Sequence, residues 1–238
     1  MKTFVMIPTY NERENIKELI NDIFFLPQLQ NELEIVVVDD NSPDGTGQLV
    51  KEMSLKNPRI HIIIREDEKG RGSAGIKGML YALENGADYI IEMDSDYSHH
   101  PRYIPDMIKE MKECDVVIGS RGIKGGGETG RNIIRQFITK FANFYIRLIM
   151  GVKTKDCTSG YRCFKKDVLK SINLDKMIST GPSIVEEILY ACHLNSYHIK
   201  EIPIIFEERR KGKSTKELKQ YIDTMWKILK FRLNMKQA

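Results

Sequence analysis

The first half of the chain alternates short apolar runs with amphipathic segments, and this order limits the possible folds more than any other feature. The run LEIVVVDD, residues 33–40, is β-branched and apolar, as in strands buried on both faces of a parallel sheet. The segment before it spaces its apolar residues as a helix does, at Ile16, Leu19, Ile20 and Ile23. Similar runs recur as IHIIIR, YIIEMD and DVVIGSR. The order predicts a doubly wound α/β fold with a mainly parallel sheet.

The pattern changes after Gly130. A long helix is predicted over NIIRQFITKFANFYIRLIMG, followed by a loop, DCTSGYRCF. Next come a helix around PSIVEEILYACHL, a strand HIKEIPIIFEE, a basic loop RRKGKST and a final amphipathic helix. Because the sequence contains no internal repeat, low-complexity tract or linker, it predicts a single domain over residues 1–238.

Composition excludes several classes of protein. With 41% hydrophobic and 29% charged residues, the 238-residue chain is typical of a globular protein. Its net charge of +4 permits anionic partners without indicating nucleic acid. The four cysteines lack metal-site spacing, so we expect reduced thiols in a cytosolic protein. No signal peptide is predicted at the N-terminus. No apolar run approaches the roughly 20 residues of a membrane span, so we expect contact with a bilayer but no crossing.

Two pairs of carboxylates stand where predicted strands end. Asp39 and Asp40 close the second strand, and Asp94 and Asp96 close the fourth. In an extended Asp-x-Asp segment the two side chains face the same side, which suits a hard divalent cation that also binds phosphate oxygens. Ligands of such sheets bind beyond the carboxyl ends of the strands. The alternative is that these aspartates are solvated loop residues or helix caps.

Two adjacent histidines, His99 and His100, follow the second acidic pair. Neighbouring residues do not face each other on a helix, and neither histidine has a partner at four-residue spacing. Since Pro101 is suited to the first position of a helix, we interpret the pair as the approach to a helix rather than a zinc site. The sequence also allows one of the two histidines to lie near the cation.

Basic residues supply the other half of a phosphate site. Arg121 follows a strand, Arg131 and Arg135 open the long helix, and residues 209–213 form a basic loop. Arginine binds phosphate through a planar fork, although any of these residues could simply be solubilising surface charge. The glycines of KGRGSAG lack the order of a phosphate-binding loop, which predicts a flexible turn there.

The motifs together resemble a known family. IPTYNERENI, VVVDDNSPDGT, KGRGSAGIKG, MDSDYSHHP, GSR and DCTSGYRCF occur in the order seen in family 2 glycosyltransferases, closest to the dolichol-phosphate (polyprenol-phosphate) mannosyltransferases. The resemblance covers nearly the whole chain. It implies the GT-A nucleotide-diphospho-sugar transferase fold, Rossmann-like, with a nucleotide-binding half over about 1–122 and an acceptor-side half over about 123–238.

The resemblance also implies a role for individual residues. Nucleotide-sugar binding is implied for Pro8, Tyr10, Glu12, Val38, Asp39, Asp40, Asp94, Arg209, Lys213, Ser214 and Lys216. Contacts with the acceptor or with phosphate are implied for Arg121, Arg135, Thr139, Asp156 and Ser159. The implied metal ligands are Asp94, Asp96 and Ser98, and the implied catalytic residues are Asp94, Asp96 and Arg121.

Two positions depart from the family pattern. Ser98 stands where relatives often have Gln, which leaves its part in coordination open. Ser214 is followed by Thr215 instead of Lys, so either Lys213 or Lys216 could contact phosphate.

The implied reaction transfers mannose from GDP-mannose to dolichyl or polyprenyl phosphate with inversion, giving a β-linked product, with Mg²⁺ or Mn²⁺ as cofactor. A phosphate monoester is largely ionised near neutral pH, so the acceptor needs no general base. Two alternatives remain: transfer of glucose or an N-acetylhexosamine from a UDP-sugar, and a non-catalytic nucleotide-binding module.

A lipid acceptor implies peripheral contact with a membrane, expected at its cytoplasmic face, with an anchoring subunit left open. The final helix interleaves apolar and basic residues in an interfacial pattern, but it could equally pack on the domain with a solvated basic face. Its apolar residues are Leu218, Ile222, Met225, Trp226 and Leu229, and its basic ones are Lys216, Lys219, Lys227, Lys230 and Arg232. The aromatic helix after Gly130 is the second candidate surface. We expect the basic loop 209–216 to become ordered over a bound donor.

Overall fold

The computed structural model describes residues 1–26, 33–208 and 218–234, and side chains of the last segment over 223–233. The strands are β1 (Thr3–Thr9), β2 (Leu33–Asp39), β3 (Ile60–Ile64), β4 (Tyr89–Glu92), β5 (Val116–Ser120), β6 (Gly127–Thr129), β7 (Arg162–Lys165), β8 (Ile199–Pro203) and β9 (Ile205–Glu207). The α-helices are α1 (Arg13–Phe24), α2 (Thr46–Ser54), α3 (Arg71–Glu84), α4 (Ile104–Glu110), α5 (Ile133–Met150), α6 (Lys166–Ser171), α7 (Ile184–Leu194) and α8 (Leu218–Asn234). Short 3₁₀ helices cover Pro101–Tyr103 and Leu174–Lys176.

Seven strands form one sheet in the order β3-β2-β1-β4-β7-β5-β8. All neighbours are parallel except β7, which runs antiparallel between β4 and β5. The prediction of a mainly parallel sheet flanked by helices is confirmed. Strand β7 begins inside DCTSGYRCF, residues 156–164, and ends at Lys165, so the prediction of a loop throughout that segment was wrong. The run is short, and its two apolar side chains, Cys163 and Phe164, are buried on opposite faces of the sheet.

A second, two-stranded sheet pairs β6 with β9. The segment HIKEIPIIFEE was predicted to be one strand, but it divides at Ile204 between the two sheets. The Ile204 amide donates to the carbonyl of Ser120 in the large sheet, and its carbonyl accepts from Gly127 in the small one. Its side chain is fully buried. The chain therefore passes from one sheet to the other at this residue, and the small sheet stands beside the carboxyl end of β5.

The start of α3 also differs from the prediction. Gly72 and Gly75 belong to the helix instead of a flexible turn, and Gly70 precedes it with φ of 139°. A Cβ on Gly72 would lie 2.6 Å from the carbonyl oxygen of Gly181. Glycine is required here because the helix meets the backbone around Gly181.

The core has two parts, one on each face of the large sheet. Along β1, Phe4 and Met6 enter one part, and Val5 and Ile7 enter the other. Helices α3, α5, α7 and α8 contribute to the first, and α1, α2 and α4 contribute to the second. This double burial explains the continuous apolar runs of the parallel strands. No helix in residues 1–26, 33–208 and 218–234 combines the length and the apolar character needed to span a bilayer.

Candidate active site

The acidic loop, residues 93–100 between β4 and the 3₁₀ helix that begins at Pro101, lies at the carboxyl end of the sheet. Its backbone is held in an unusual conformation, because Tyr97 has φ of 65° and is buried with its hydroxyl donating to Asp22 at 2.8 Å. The Ser98 amide donates to the Asp96 carboxylate at 3.1 Å. As a result, Asp94, Asp96 and Ser98 all line the same cavity.

This polar cavity, of about 250 Å³, gathers half of the predicted site. It is bordered by β1, the acidic loop, the end of β5, the start of α5, the residues before β7 and the strand β9. The predicted site residues that line it are Pro8, Tyr10, Glu12, Asp94, Asp96, Ser98, Arg121, Arg135 and Ser159. The motifs that are separated in the sequence therefore meet at one end of the sheet, as expected for a doubly wound fold.

The acidic loop offers oxygen ligands of the kind that hard divalent cations prefer. Asp96 is 8% exposed, and the Asp94 side chain is 34% exposed. Among the described residues, no three His, Cys, Asp or Glu side chains cluster so as to hold a metal ion by themselves. Two carboxylates and one hydroxyl nevertheless fit Mg²⁺ or Mn²⁺, whose remaining positions are commonly filled by water and substrate phosphates.

The first histidine is part of the cavity wall. His99 is 3% exposed, stacks on Tyr161 with ring centroids 5.0 Å apart, and accepts a hydrogen bond from the Asp94 amide at its Nδ1. Burial lowers the pKa of His99, against the attraction of Asp94 and Asp96. A neutral ring that accepts at Nδ1 carries its proton on Nε2. The second histidine, His100, caps the 3₁₀ helix that begins at Pro101, which confirms its predicted position.

Arg121 is held by carboxylates of the protein itself. Its Nε and Nη2 donate to the two oxygens of Asp156, each at 2.7 Å, and Nη2 also donates to Thr158. Asp156 is 1% exposed. Burial alone would raise the pKa of the Asp156 carboxyl, but the hydrogen bonds and charge of Arg121 outweigh it and lower that pKa. Thus Asp156 fixes the orientation of Arg121 from behind, without lining the cavity.

A second carboxylate, Glu128 on β6, connects two arginines. It lies 3.4 Å from Arg121 and 3.0 Å from Arg131, with only 10% of its side chain exposed. Both guanidinium groups also lie 5.3 Å from the ring centroid of Phe206 on β9. The small sheet therefore positions the two arginines. Arg135 is more exposed and pairs with Glu208 at 3.2 Å.

Arg71 was not predicted from the sequence as a site residue. It is the first residue of α3, and its guanidinium donates to Glu92 at 3.0 Å and to one oxygen of Asp94 at 2.8 and 3.1 Å. Burial alone would lower the pKa of Arg71, but Asp94 and Glu92 outweigh it, so the group is cationic. Glu92, Glu128 and Phe206 were missed as well. The alternation of acidic residues in EMDSD is the one signal that could have included Glu92.

The first acidic pair lies apart from both described cavities. Asp39 is fully buried and accepts from the amide of Ser42 at 3.0 Å. Asp40 is ion-paired with Arg65 and accepts from the Gly70 amide at 2.7 Å. Neither these residues nor Val38 line the two cavities, so their contact with a nucleotide base stays a prediction. Arg209, Lys213, Ser214, Lys216 and the predicted lid 209–216 lie outside the described residues.

An apolar cavity of about 170 Å³ adjoins the polar one. Its walls come from α5, α7 and α8, with Phe141, Tyr145, Val185 and Ile228 among them, and Thr139 at its border. Thr139 accepts a hydrogen bond from Arg131 at 3.2 Å. The residues that line both cavities are Arg71, Asp94, Arg121, Arg131, Thr158 and Gly160. The site therefore places charged groups at the mouth of an apolar space.

Comparison with known proteins gives a consistent result. The sequence model of Glycosyl transferase family 2 matches residues 4–172. An undecaprenyl-phosphate mannosyltransferase of Micrococcus luteus is 35% identical over 214 residues, which cover 90% of this chain and 87% of that protein. A polyprenol monophosphomannose synthase of Mycolicibacterium smegmatis is 35% identical over 230 residues, covering 95% of this chain and 85% of the relative.

Solved structures agree at the level of the fold. The crystal structure of glucosyl-3-phosphoglycerate synthase from Mycobacterium tuberculosis, in complex with Mn²⁺, UDP and phosphoglyceric acid, superposes with a TM-score of 0.69. The match covers 98% of this chain and 78% of that one at 16% identity. The predicted GT-A architecture is thereby confirmed.

Proposed function

The chain belongs to glycosyl transferase family 2 and is a glycosyltransferase, and we propose that it transfers mannose from GDP-mannose to a polyprenyl or dolichyl phosphate. The relatives that are 35% identical are a mannosyltransferase and a phosphomannose synthase whose names specify undecaprenyl phosphate and polyprenol. The proposal extends mannosyl transfer and a polyprenyl phosphate acceptor to this chain, and it adds GDP-mannose as the donor.

The observation that carries the proposal is the junction of the two cavities. Six residues line both spaces, and three of them are arginines: Arg71, Arg121 and Arg131. A polyprenyl phosphate has the same division, an anionic head on a long apolar chain. The polar cavity suits a nucleoside diphosphate sugar. The apolar cavity suits the first prenyl units of the acceptor, whose phosphate would then lie at the junction.

The chemistry follows from these positions. An oxygen of the acceptor phosphate attacks the anomeric carbon while the bond from that carbon to the diphosphate breaks, and the nucleoside diphosphate leaves with the electron pair. In-line attack inverts the anomeric centre. The acceptor is already ionised, so the protein is left to orient the two phosphates and to stabilise their charge. We assign this task to Arg121 and Arg131, since both line the two cavities.

The residues that would hold a divalent cation are Asp94 and Asp96, with Ser98 beside them. When bound, Mg²⁺ or Mn²⁺ would supply positive charge against the leaving diphosphate. Pro8, Tyr10 and Glu12 border the same cavity and would bind the nucleotide.

We further propose that the protein binds the membrane peripherally through α5. Five large apolar side chains of this helix, spaced by three or four residues, are 56–73% exposed: Ile134, Phe137, Phe141, Phe144 and Leu148. The helix also carries Arg135, Lys140 and Arg147 and no acidic residue. An apolar face bordered by basic groups suits a bilayer with anionic headgroups. Phe141 also lines the apolar cavity, which supports entry of the acceptor from this side.

A donor panel tests the function. Purified protein is incubated with polyprenyl phosphate, Mg²⁺ or Mn²⁺, and GDP-mannose, UDP-glucose or a UDP-N-acetylhexosamine, and the lipid product is analysed for its sugar and its anomeric configuration. We expect a β-linked mannosyl lipid from GDP-mannose, formed about 10²- to 10³-fold more slowly by the Asp96→Asn variant.

Other outcomes of the panel separate the alternatives. A glucosyl or N-acetylhexosaminyl lipid would replace mannose and GDP in the proposal by a UDP-sugar. An α-linked product would contradict inversion. Donor binding without transfer from any donor would contradict the proposed function.

A further inference from the structure

Three acidic residues alternate along the end of β4 and the start of its loop: Glu92, Asp94 and Asp96. The first is fully buried, and the third is 8% exposed in the polar cavity. Arg71 lies against the first two. It donates from Nη1 to Glu92, and from Nε and Nη2 to Oδ1 of Asp94. One oxygen of Asp94 thus has two hydrogen bonds from a cation of the protein itself.

The position of this arginine is tightly constrained. Its backbone begins α3, where Gly72 packs on the backbone around Gly181. Its guanidinium lies over Gly160, where a Cβ would collide with it. The same guanidinium contacts Asp94 and the buried Glu92, so its hydrogen bond with Glu92 helps to keep it beside Asp94.

This arrangement affects any cation that approaches the acidic loop. Two carboxylates without a counter-ion would attract a divalent cation strongly, whereas a guanidinium bound to one of them offsets part of the attraction and adds direct repulsion. A nucleoside diphosphate contributes its own negative charges and oxygen ligands, which restore the attraction between the site and the divalent cation. The cation is therefore expected to depend on the nucleotide for tight binding.

We propose that Arg71 is a positioning residue whose guanidinium stays paired with Asp94, so that a divalent metal ion binds tightly only together with a nucleoside diphosphate. This inference rests on the proposed function for the presence of that cation. It assigns to Arg71 the control of when the site takes up its metal.

Binding of Mn²⁺ to the full chain tests the inference without sugar, lipid or turnover. Titration calorimetry measures Mn²⁺ affinity with and without GDP or UDP. The native protein should bind Mn²⁺ at least tenfold more tightly with nucleotide than without it. Arg71→Leu should bind Mn²⁺ about tenfold more tightly than the native protein when no nucleotide is present, because one repelling charge is removed. Loss of a merely structural residue would weaken this affinity.

Two further variants separate this effect from folding and from general charge. Arg71→Leu leaves the buried Glu92 without its hydrogen-bonded cation, so the double variant with Glu92→Leu removes both charges together. It should still bind nucleotide-free Mn²⁺ about three- to fivefold more tightly than the native protein, a smaller gain than in the single variant because the attraction of Glu92 is lost as well. Lys77→Leu removes an exposed positive charge from the same helix and should leave the Mn²⁺ affinity within about twofold of native.

The results that overturn the inference are distinct from those that overturn the function. Unchanged or weaker nucleotide-free Mn²⁺ binding in the folded double variant contradicts the role of Arg71, as does equally tight Mn²⁺ binding by the native protein with and without nucleotide. If Mn²⁺ fails to bind with either nucleotide, the metal-dependent donor site of the proposed function fails as well.

Discussion

The polar cavity and the apolar surface of α5 differ in what their side chains contact. In the polar cavity, Arg71, Arg121 and Arg131 all meet carboxylates of the protein itself. On α5, large side chains such as Phe137 and Phe144 extend into solvent. The charged half of the site is thus built within the fold, whereas the apolar half lacks a covering in the part of the chain that the structure describes. Substitutions in the two regions should therefore act on different properties.

The largest expected effect is on stability, from Arg121→Ala. The substitution leaves the buried Asp156 carboxylate without its charged partner, and breaking such an ion pair costs about 3–5 kcal/mol. Chemical denaturation of the purified variant measures the loss in free energy of unfolding. Arg135→Ala is the matched control, because its pair with Glu208 is half exposed, and it should cost less than about 1 kcal/mol. Equal losses in the two variants would contradict the view that Arg121 is part of the folded framework.

The same pair predicts how stability depends on acid. The folded-state pKa of Asp156 lies below its ordinary value of about 4. Its contribution is therefore fully present above pH 4 and is lost as the pH falls toward the folded-state pKa. Denaturation at pH 3 and pH 6 should show a smaller difference for Asp156→Asn than for the native protein. A difference as large as that of the native protein would show that other groups carry the acid sensitivity.

The next effect concerns turnover and belongs to the polar region alone. Asp96→Asn removes a charged ligand of the proposed cation site and should lower the transfer rate by about 10²- to 10³-fold, with stability close to native. Asp106→Asn on α4 is an exposed control with the same change in chemistry, and it should retain full activity. A variant at Asp96 with native turnover in the presence of Mn²⁺ or Mg²⁺ would remove this residue from the site.

The polar region was also the more predictable of the two. Asp94, Asp96 and Arg121 follow strands of a parallel sheet, and sheets of this kind bring such residues to one edge. Two residues that position Arg121 were not predictable, because Glu128 and Phe206 come from two short strands that pair across about 80 residues of sequence. Pairing between such distant strands depends on tertiary packing, which a local pattern does not record.

The apolar region shows the opposite limit. The period of α5 correctly predicted a long helix, yet the same period is compatible with burial and with exposure. Residues on either side of one helix, such as Ile146 and Phe144, have opposite environments, the former 1% and the latter 56% exposed. Which side faces outward depends on α7 and α8, whose packing the sequence did not reveal.

A smaller effect is expected when the α5 surface is made polar. The double variant Phe137→Ser/Phe144→Ser should bind vesicles of anionic phospholipid about 10- to 100-fold more weakly than the native protein, since each partly inserted aromatic side chain contributes on the order of 1 kcal/mol. Vesicle sedimentation measures the change. Phe25→Ser, at the end of α1, alters a residue that is 79% exposed outside α5 and should bind like the native protein. Equal vesicle binding by all three proteins would contradict docking through α5.

The smallest effect is expected on α8, the helix that the sequence ranked first as a membrane surface. Its Ile228 and Phe231 are each 1% exposed and pack in the core, which leaves Trp226 and Leu233 on the outside. Since part of the apolar side is already buried in the protein, Trp226→Ser should weaken vesicle binding only about two- to fivefold, less than the α5 double variant. Both variants are compared on the same vesicles, with Leu233→Ser as a second probe of α8. A loss at Trp226 larger than that of the α5 pair would reverse the order of the two helices and place α8 deeper in the bilayer.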